Sequence, residues 1–187
     1  MYRKSIVFAL TLCAATNVAA LDVAGVHVAD TASVRGTELV LNGAGLRKRA
    51  IFKVYVGSLY LSAKATSAQA ALAQSPRRIR LDVLRNLSAD QLIDALAGGL
   101  RQNTTAAQFA ALAVPTGELA AIMKSFGQAK AGSVVTLDFI DGATVVGLDG
   151  EARGTIDGAA FNDALTKIWI GDHPVQDDLA KAMLGGA

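Results

Sequence analysis

The sequence predicts an α+β fold, an antiparallel β-sheet with helices packed on one face. Three observations predict it. Strand-like segments open the chain, helix-like segments fill its middle, and strands and then helices return at the end. Asp-Gly pairs at 141–142, 149–150 and 157–158 recur every eight residues between β-prone runs, the pattern of a hairpin meander. Nowhere do single strands alternate with single helices, so a parallel Rossmann-type sheet is unsupported.

The first twenty residues predict a secretory signal rather than part of the fold. Arg3 and Lys4 begin it, Ser5 to Ala15 are almost all apolar or small, and Val18-Ala19-Ala20 offers small residues for cleavage. The apolar run is short for a membrane span. Cys13 lies within it, preceded by a bulky Leu12 where a lipoprotein signal needs a small residue. Export to the periplasm or beyond is therefore expected, with residues 21–187 as one domain. Of the 18 basic residues two leave with the signal, which makes 16 against 16 acidic ones. That neutral balance predicts no footprint for nucleic acid or acidic membranes. The lone cysteine leaves too, which excludes disulfides and thiolate chemistry from the mature chain. No membrane span follows the signal.

The elements are then read in order. Leu21 to Val28 reads as a short strand and Glu38 to Leu41 as a second, ended by an Asn42-Gly43 turn. Leu46 to Leu61 is a long β-prone run. Ser67 to Gln74 reads as a helix stopped by Pro76. Arg77 to Leu84 alternates Arg78, Arg80 and Asp82 against Ile79, Leu81 and Val83, a strand with one wet face. Ser88 and Gln91 form a capping box for a helix carrying Leu92, Leu96 and Leu100 at a spacing of four. A second helical piece starts at Thr104-Thr105 and a third runs from Gly117 to Phe126. After the meander, Asp157 reads as the cap of a helix burying Phe161, Leu165, Ile168 and Trp169. A last helix places Val175, Leu179 and Met183 on one face.

Three segments carry a family resemblance. They are Leu41-Asn42-Gly43-Ala44-Gly45-Leu46-Arg47, then Phe52 to Leu61 with its Gly57-Ser58 pair, and the tail Ala164 to Val175 with its Ile170-Gly171-Asp172-His173 break. In this order and spacing the chain resembles the chalcone isomerase-like family over nearly all of residues 21–184. The resemblance implies an α+β sheet with helices on one face. It also implies one of two activities: closure of a chalcone to a flavanone, or binding of fatty acids in the equivalent cleft. Arg47 matches the family's cleft arginine. A permanently charged planar fork suits a carboxylate or phenolate, and the alternative is a solvated arginine beside Lys48 and Arg49. Tyr55 falls where fatty-acid-binding relatives place a tyrosine.

The resemblance departs where catalysis needs it. The plant enzymes use Tyr, Lys and Asn from one helix, whereas Ser88 to Arg101 has no Tyr or Lys; the family's Thr-Met pair becomes Ile168-Trp169. The expected partner is thus an apolar small molecule with an acidic head, held near Arg47 and Tyr55 in a cleft lined by residues such as Tyr60, Phe109, Met123 and Trp169. A lyase using Arg47 and Tyr55, and an accessory domain whose cleft Trp169 fills, are the alternatives. Uninterrupted strand would place Arg47 and Tyr55 roughly 26 Å apart, and Lys48 to Ile51 holds no Gly, Pro, Asn or Asp to turn on. No cofactor is expected. His27 and His173 stand far apart, without carboxylates at metal-ligand spacing; no nucleophile elbow surrounds a serine. Asn42-Gly43-Ala44-Gly45 precedes strand, not a phosphate-binding helix.

Overall fold

A computed structural model describes residues 21–186; the expected signal at 1–20 lies outside them. The chain opens with the hairpin β1 (Leu21–Val23) and β2 (Val26–Val28), followed by β3 (Thr31–Val34), β4 (Thr37–Arg49) and β5 (Phe52–Leu61). Helix α1 (Ala68–Leu72) leads to β6 (Arg77–Val83). Then come β7 (Leu87–Ser88), α2 (Ala89–Gln102), α3 (Ala106–Ala111), α4 (Ala113–Phe126) and β8 (Gln128–Ala129). The meander is β9 (Val134–Ile140), β10 (Ala143–Leu148) and β11 (Glu151–Asp157), and α5 (Ala159–Ile170) and α6 (Asp177–Met183) close the chain.

One seven-stranded sheet runs in the order β11-β10-β9-β6-β5-β4-β3, every neighbour antiparallel. The α+β expectation holds. On one face, Leu59, Ile79, Leu81, Leu137 and Phe139 meet Leu92, Leu96 and Leu100 of α2, Met123 of α4, and Phe161, Leu165, Ile168 and Trp169 of α5. The other face is not left wet around β4 and β5. There Leu39, Leu41, Val56 and Tyr60 form a second core with Val28, roofed by Val23 and Val26 of the first hairpin. The charged row on β6 is also drier than its alternation suggested. Arg78 pairs with Asp138 at 2.5 Å and Arg80 with Asp82 at 2.6 Å, and both carboxylates are buried.

Several boundaries move. The expected first strand is a hairpin turning at Ala24-Gly25. The fourth helix begins at Ala113, four residues before Gly117, with Pro115 in its first turn, where a missing N–H matters least. Gly158, not Asp157, caps α5, and no side chain bonds its first turn. The capping boxes at Ser88/Gln91 and Thr105/Gln108 are both formed.

The largest departures lie in β4. Asn42-Gly43 is no turn: the strand continues to Arg49, and Asn42 is skipped in the pairing with β5. Its amide is instead fully engaged in the interior, donating to the carbonyls of Ala65 (2.9 Å) and Met183 (2.7 Å) and accepting from the Ala65 N–H (2.7 Å). An extra residue reverses the alternation of every side chain beyond it. Before the bulge Leu39 and Leu41 face the second core; after it Ala44 and Leu46 do. Gly43, Gly45 and Arg47 are thereby turned toward the helices. The glycines are required there, because a Cβ on Gly43 would lie 2.0 Å from the Ala182 carbonyl oxygen and one on Gly45 would meet Ala182 Cβ at 2.8 Å.

Candidate ligand-binding cleft

The β-prone run from Leu46 to Leu61 is two strands, not one. They are joined by a tight hairpin at Ala50-Ile51, with Ala50 held at φ 52°. A non-glycine residue in that left-handed region carries a penalty of about 1–2 kcal/mol, which is why composition did not signal the turn. Folding back brings Arg47 directly opposite Tyr55 in the β4–β5 register. The separation expected of an extended strand is replaced by a cross-strand pair on the helix-facing side of the sheet.

Arg47 is half-buried and its position is fixed from α6. The Nη1 group donates to the Oε1 atom of Gln176 at 3.3 Å and to the Lys48 carbonyl. The same Gln176 amide accepts from the Lys48 N–H at 2.9 Å and donates to the Leu46 carbonyl at 3.0 Å. Gln176, the residue at the start of α6, thus clamps the strand on both sides of Arg47.

Tyr55 is 8% exposed. Its phenolic oxygen accepts a hydrogen bond from Trp169 Nε1 at 3.0 Å. Indole N–H can only donate, so the phenol keeps its own proton, and among the described residues none accepts it. Burial pushes the Tyr55 phenol up to about 12, against the smaller opposing effects of the Trp169 hydrogen bond and the Arg47 charge. The result is a neutral hydroxyl with a donor free, beside a permanent cation.

These two groups lie on the wall of a cleft of about 530 Å³ between β4–β5 and α2. Helix α2 supplies Gln91, Asp94, Ala95, Gly98 and Gln102, one stripe of its surface. Val54, Leu87, Leu92 and Val175 add apolar surface, and Arg49 and Arg85 join the lining. The space exists because α2 is thin here: a Cβ on Gly98 would meet nothing within 4 Å. Gly99 has the opposite job, since a Cβ there would lie 2.7 Å from Ile168 of α5. The volume falls within the range of small-molecule sites, whose walls are mostly apolar with a few convergent polar groups.

Of the residues expected at the site, Arg47 and Tyr55 meet. Trp169 stands behind Tyr55, 1% exposed, as a prop and not as wall, so it does not fill the cleft. Tyr60 is corrected: two-residue alternation along β5 sends it to the second core, where its hydroxyl donates to the Ala29 carbonyl at 2.9 Å. Met123 is 1% exposed within the main core and Phe109 lies under Arg101 at 4.7 Å, and neither lines the cleft. His173 belongs to a turn tied by Asn103, which accepts from its N–H at 3.1 Å and donates to its carbonyl at 2.8 Å. Gln176, Arg49, Arg85 and Gly98 were missed. The Gly98-Gly99 pair inside a helix was the one available signal.

The chalcone isomerase-like family model matches residues 20–185. Among solved structures, the fold is similar to that of a fatty-acid binding protein of Arabidopsis thaliana, with a TM-score of 0.61 at 14% sequence identity. The alignment covers 82% of this chain and 95% of that one. No curated protein sequence matches significantly. The match spans nearly the whole described chain, and the chain belongs to the chalcone isomerase-like family.

Proposed function

We propose that this protein is exported and binds a fatty acid or a similar apolar acid in the cleft between β4–β5 and α2, the carboxylate held by Arg47 and Tyr55. One observation carries the reading: a buried phenol with an unused proton stands opposite a guanidinium on the wall of a largely apolar space. A carboxylate accepts from both groups at once. Each such hydrogen bond to a charged group contributes about 1.5–3 kcal/mol. The similarity to a fatty-acid binding protein supports the choice of ligand.

Binding is favoured over ring closure by what α2 presents. Its cleft stripe offers amides, one carboxylate and small residues, with no tyrosine or lysine to polarise a ketone. A phenol near 12 keeps its proton at neutral pH and serves there as a hydrogen-bond donor.

Native mass spectrometry of the protein isolated from cells expressing the full chain tests the reading. The expected spectrum shows an adduct of fatty-acid mass, which is restored when a delipidated sample is titrated with palmitate. Clean apo spectra throughout the titration would refute it. N-terminal sequencing of the exported material is expected to begin at Leu21.

A further inference from the structure

The tip of the β4–β5 hairpin is apolar, exposed and surrounded by positive charge. Ile51 is 89% exposed and Phe52 54%, two of the four large apolar side chains left open to solvent among the described residues. Lys48 stands opposite Lys53 and Arg49 opposite Phe52 in the hairpin register. Arg85, from the loop after β6, lays its guanidinium over the Phe52 ring at 4.7 Å. All four cations are exposed, and none enters an ion pair among the described residues. The acidic side chain that shares the cleft with Arg49 and Arg85 is Asp94.

We propose that this hairpin tip docks on an anionic lipid bilayer, Ile51 and Phe52 entering the interface and Lys48, Arg49, Lys53 and Arg85 resting on the headgroups. Apolar side chains ringed by cations match a membrane surface in both chemistry and order. The formal neutrality of residues 21–187 does not oppose this, because attraction to a surface acts over about a Debye length, roughly 8–10 Å. The local charge is predominantly positive, with Lys48, Arg49, Lys53 and Arg85 set against Asp94. A protein partner fits less well. Two side chains fall far short of the roughly 800 Å² per partner of a stable interface. Docking is peripheral, since no described helix is long and apolar enough to cross a membrane. Arg49 and Arg85 also line the cleft, so the docked orientation sets the cleft against the bilayer.

The test is cosedimentation with vesicles of phosphatidylglycerol and phosphatidylethanolamine, against vesicles of phosphatidylcholine alone. The expected result is about tenfold stronger binding to the anionic vesicles, lost on raising the salt to about 0.5 M. Ile51→Ser with Phe52→Ser, and separately Lys48→Gln with Lys53→Gln, are expected to weaken it about tenfold while leaving the circular dichroism unchanged. Trp169 is the single tryptophan and is buried, so an Ile51→Trp variant reports from the tip, and its emission should shift to the blue on anionic vesicles. Equal binding by the wild type and the serine variant, equal binding to both vesicle types, or unshifted Ile51→Trp emission would each overturn the proposal. Palmitate uptake in lipid-free solution by the serine variant is a separate readout, so loss of docking and loss of the ligand are told apart.

Discussion

Trp169 Nε1 donates to the phenolic oxygen of Tyr55 at 3.0 Å, a buried bond between residues 114 apart in sequence. It joins α5 to β5 and decides which way the phenol's proton can go. The same burial makes Tyr55 a pH-dependent stabiliser. Its folded value of about 12 lies above the ordinary 10, so the folded state holds the proton more tightly than the unfolded chain. This contribution is complete below pH 10 and is lost as pH rises toward about 12. Tyr55→Phe should cost about 1–3 kcal/mol at pH 9, by leaving the indole N–H unpaired. That deficit should shrink as pH rises through the window, by on the order of 2 kcal/mol. Urea unfolding of both proteins at several alkaline pH values checks it; a constant difference contradicts the placement of Tyr55.

The two adjacent glycines of α2 should respond in opposite directions. Gly98 faces open cleft, so Gly98→Ala removes a helix-interior glycine and should stabilise by up to about 1 kcal/mol. Gly99→Ala drives a methyl against Ile168 and should destabilise by about 1–3 kcal/mol. Gly98→Leu fills the cleft without touching the core and should abolish palmitate uptake in a folded protein. Thermal melts and ligand titration on the three variants suffice.

The fold class was legible because the signals that carried it are local. The Asp-Gly turns at 141–142 and 149–150, the Ser88/Gln91 capping box and the leucine spacing of α2 act within a few residues and are formed as expected, whereas Asp157-Gly158 joins β11 to α5 and is no hairpin turn. The site was legible only in part. Resemblance singled out Arg47 and Tyr55 as candidates, while the hairpin that pairs them was hidden, because Ala50 adopts a conformation its side chain disfavours. Asn42-Gly43 misled for the complementary reason. A dipeptide that favours a turn was used as a bulge, held by partners 23 and 141 residues away that no local pattern announces. Tyr60 was misplaced because alternation says which residues share a face but not which face meets the helices.

The bulge supplies a further prediction. Asn42→Ala removes three hydrogen bonds to buried backbone groups and should destabilise by about 2–4 kcal/mol. Because the bulge sets which side Arg47 faces, the folded fraction of this variant should also bind palmitate more weakly. An Asn42→Ala protein with wild-type stability and affinity would contradict the role given to the bulge.

Under the proposed function, Arg47 and Tyr55 together receive an acid at the wall of an apolar cleft. Calorimetric titration with palmitate and with the alcohol of equal chain length, on wild type and Arg47→Gln, tests it most directly. The wild type is expected to prefer the acid by about tenfold or more, and Arg47→Gln to lose that preference while still binding the alcohol. Equal affinity of the wild type for acid and alcohol, or an undiminished preference in Arg47→Gln, would contradict it.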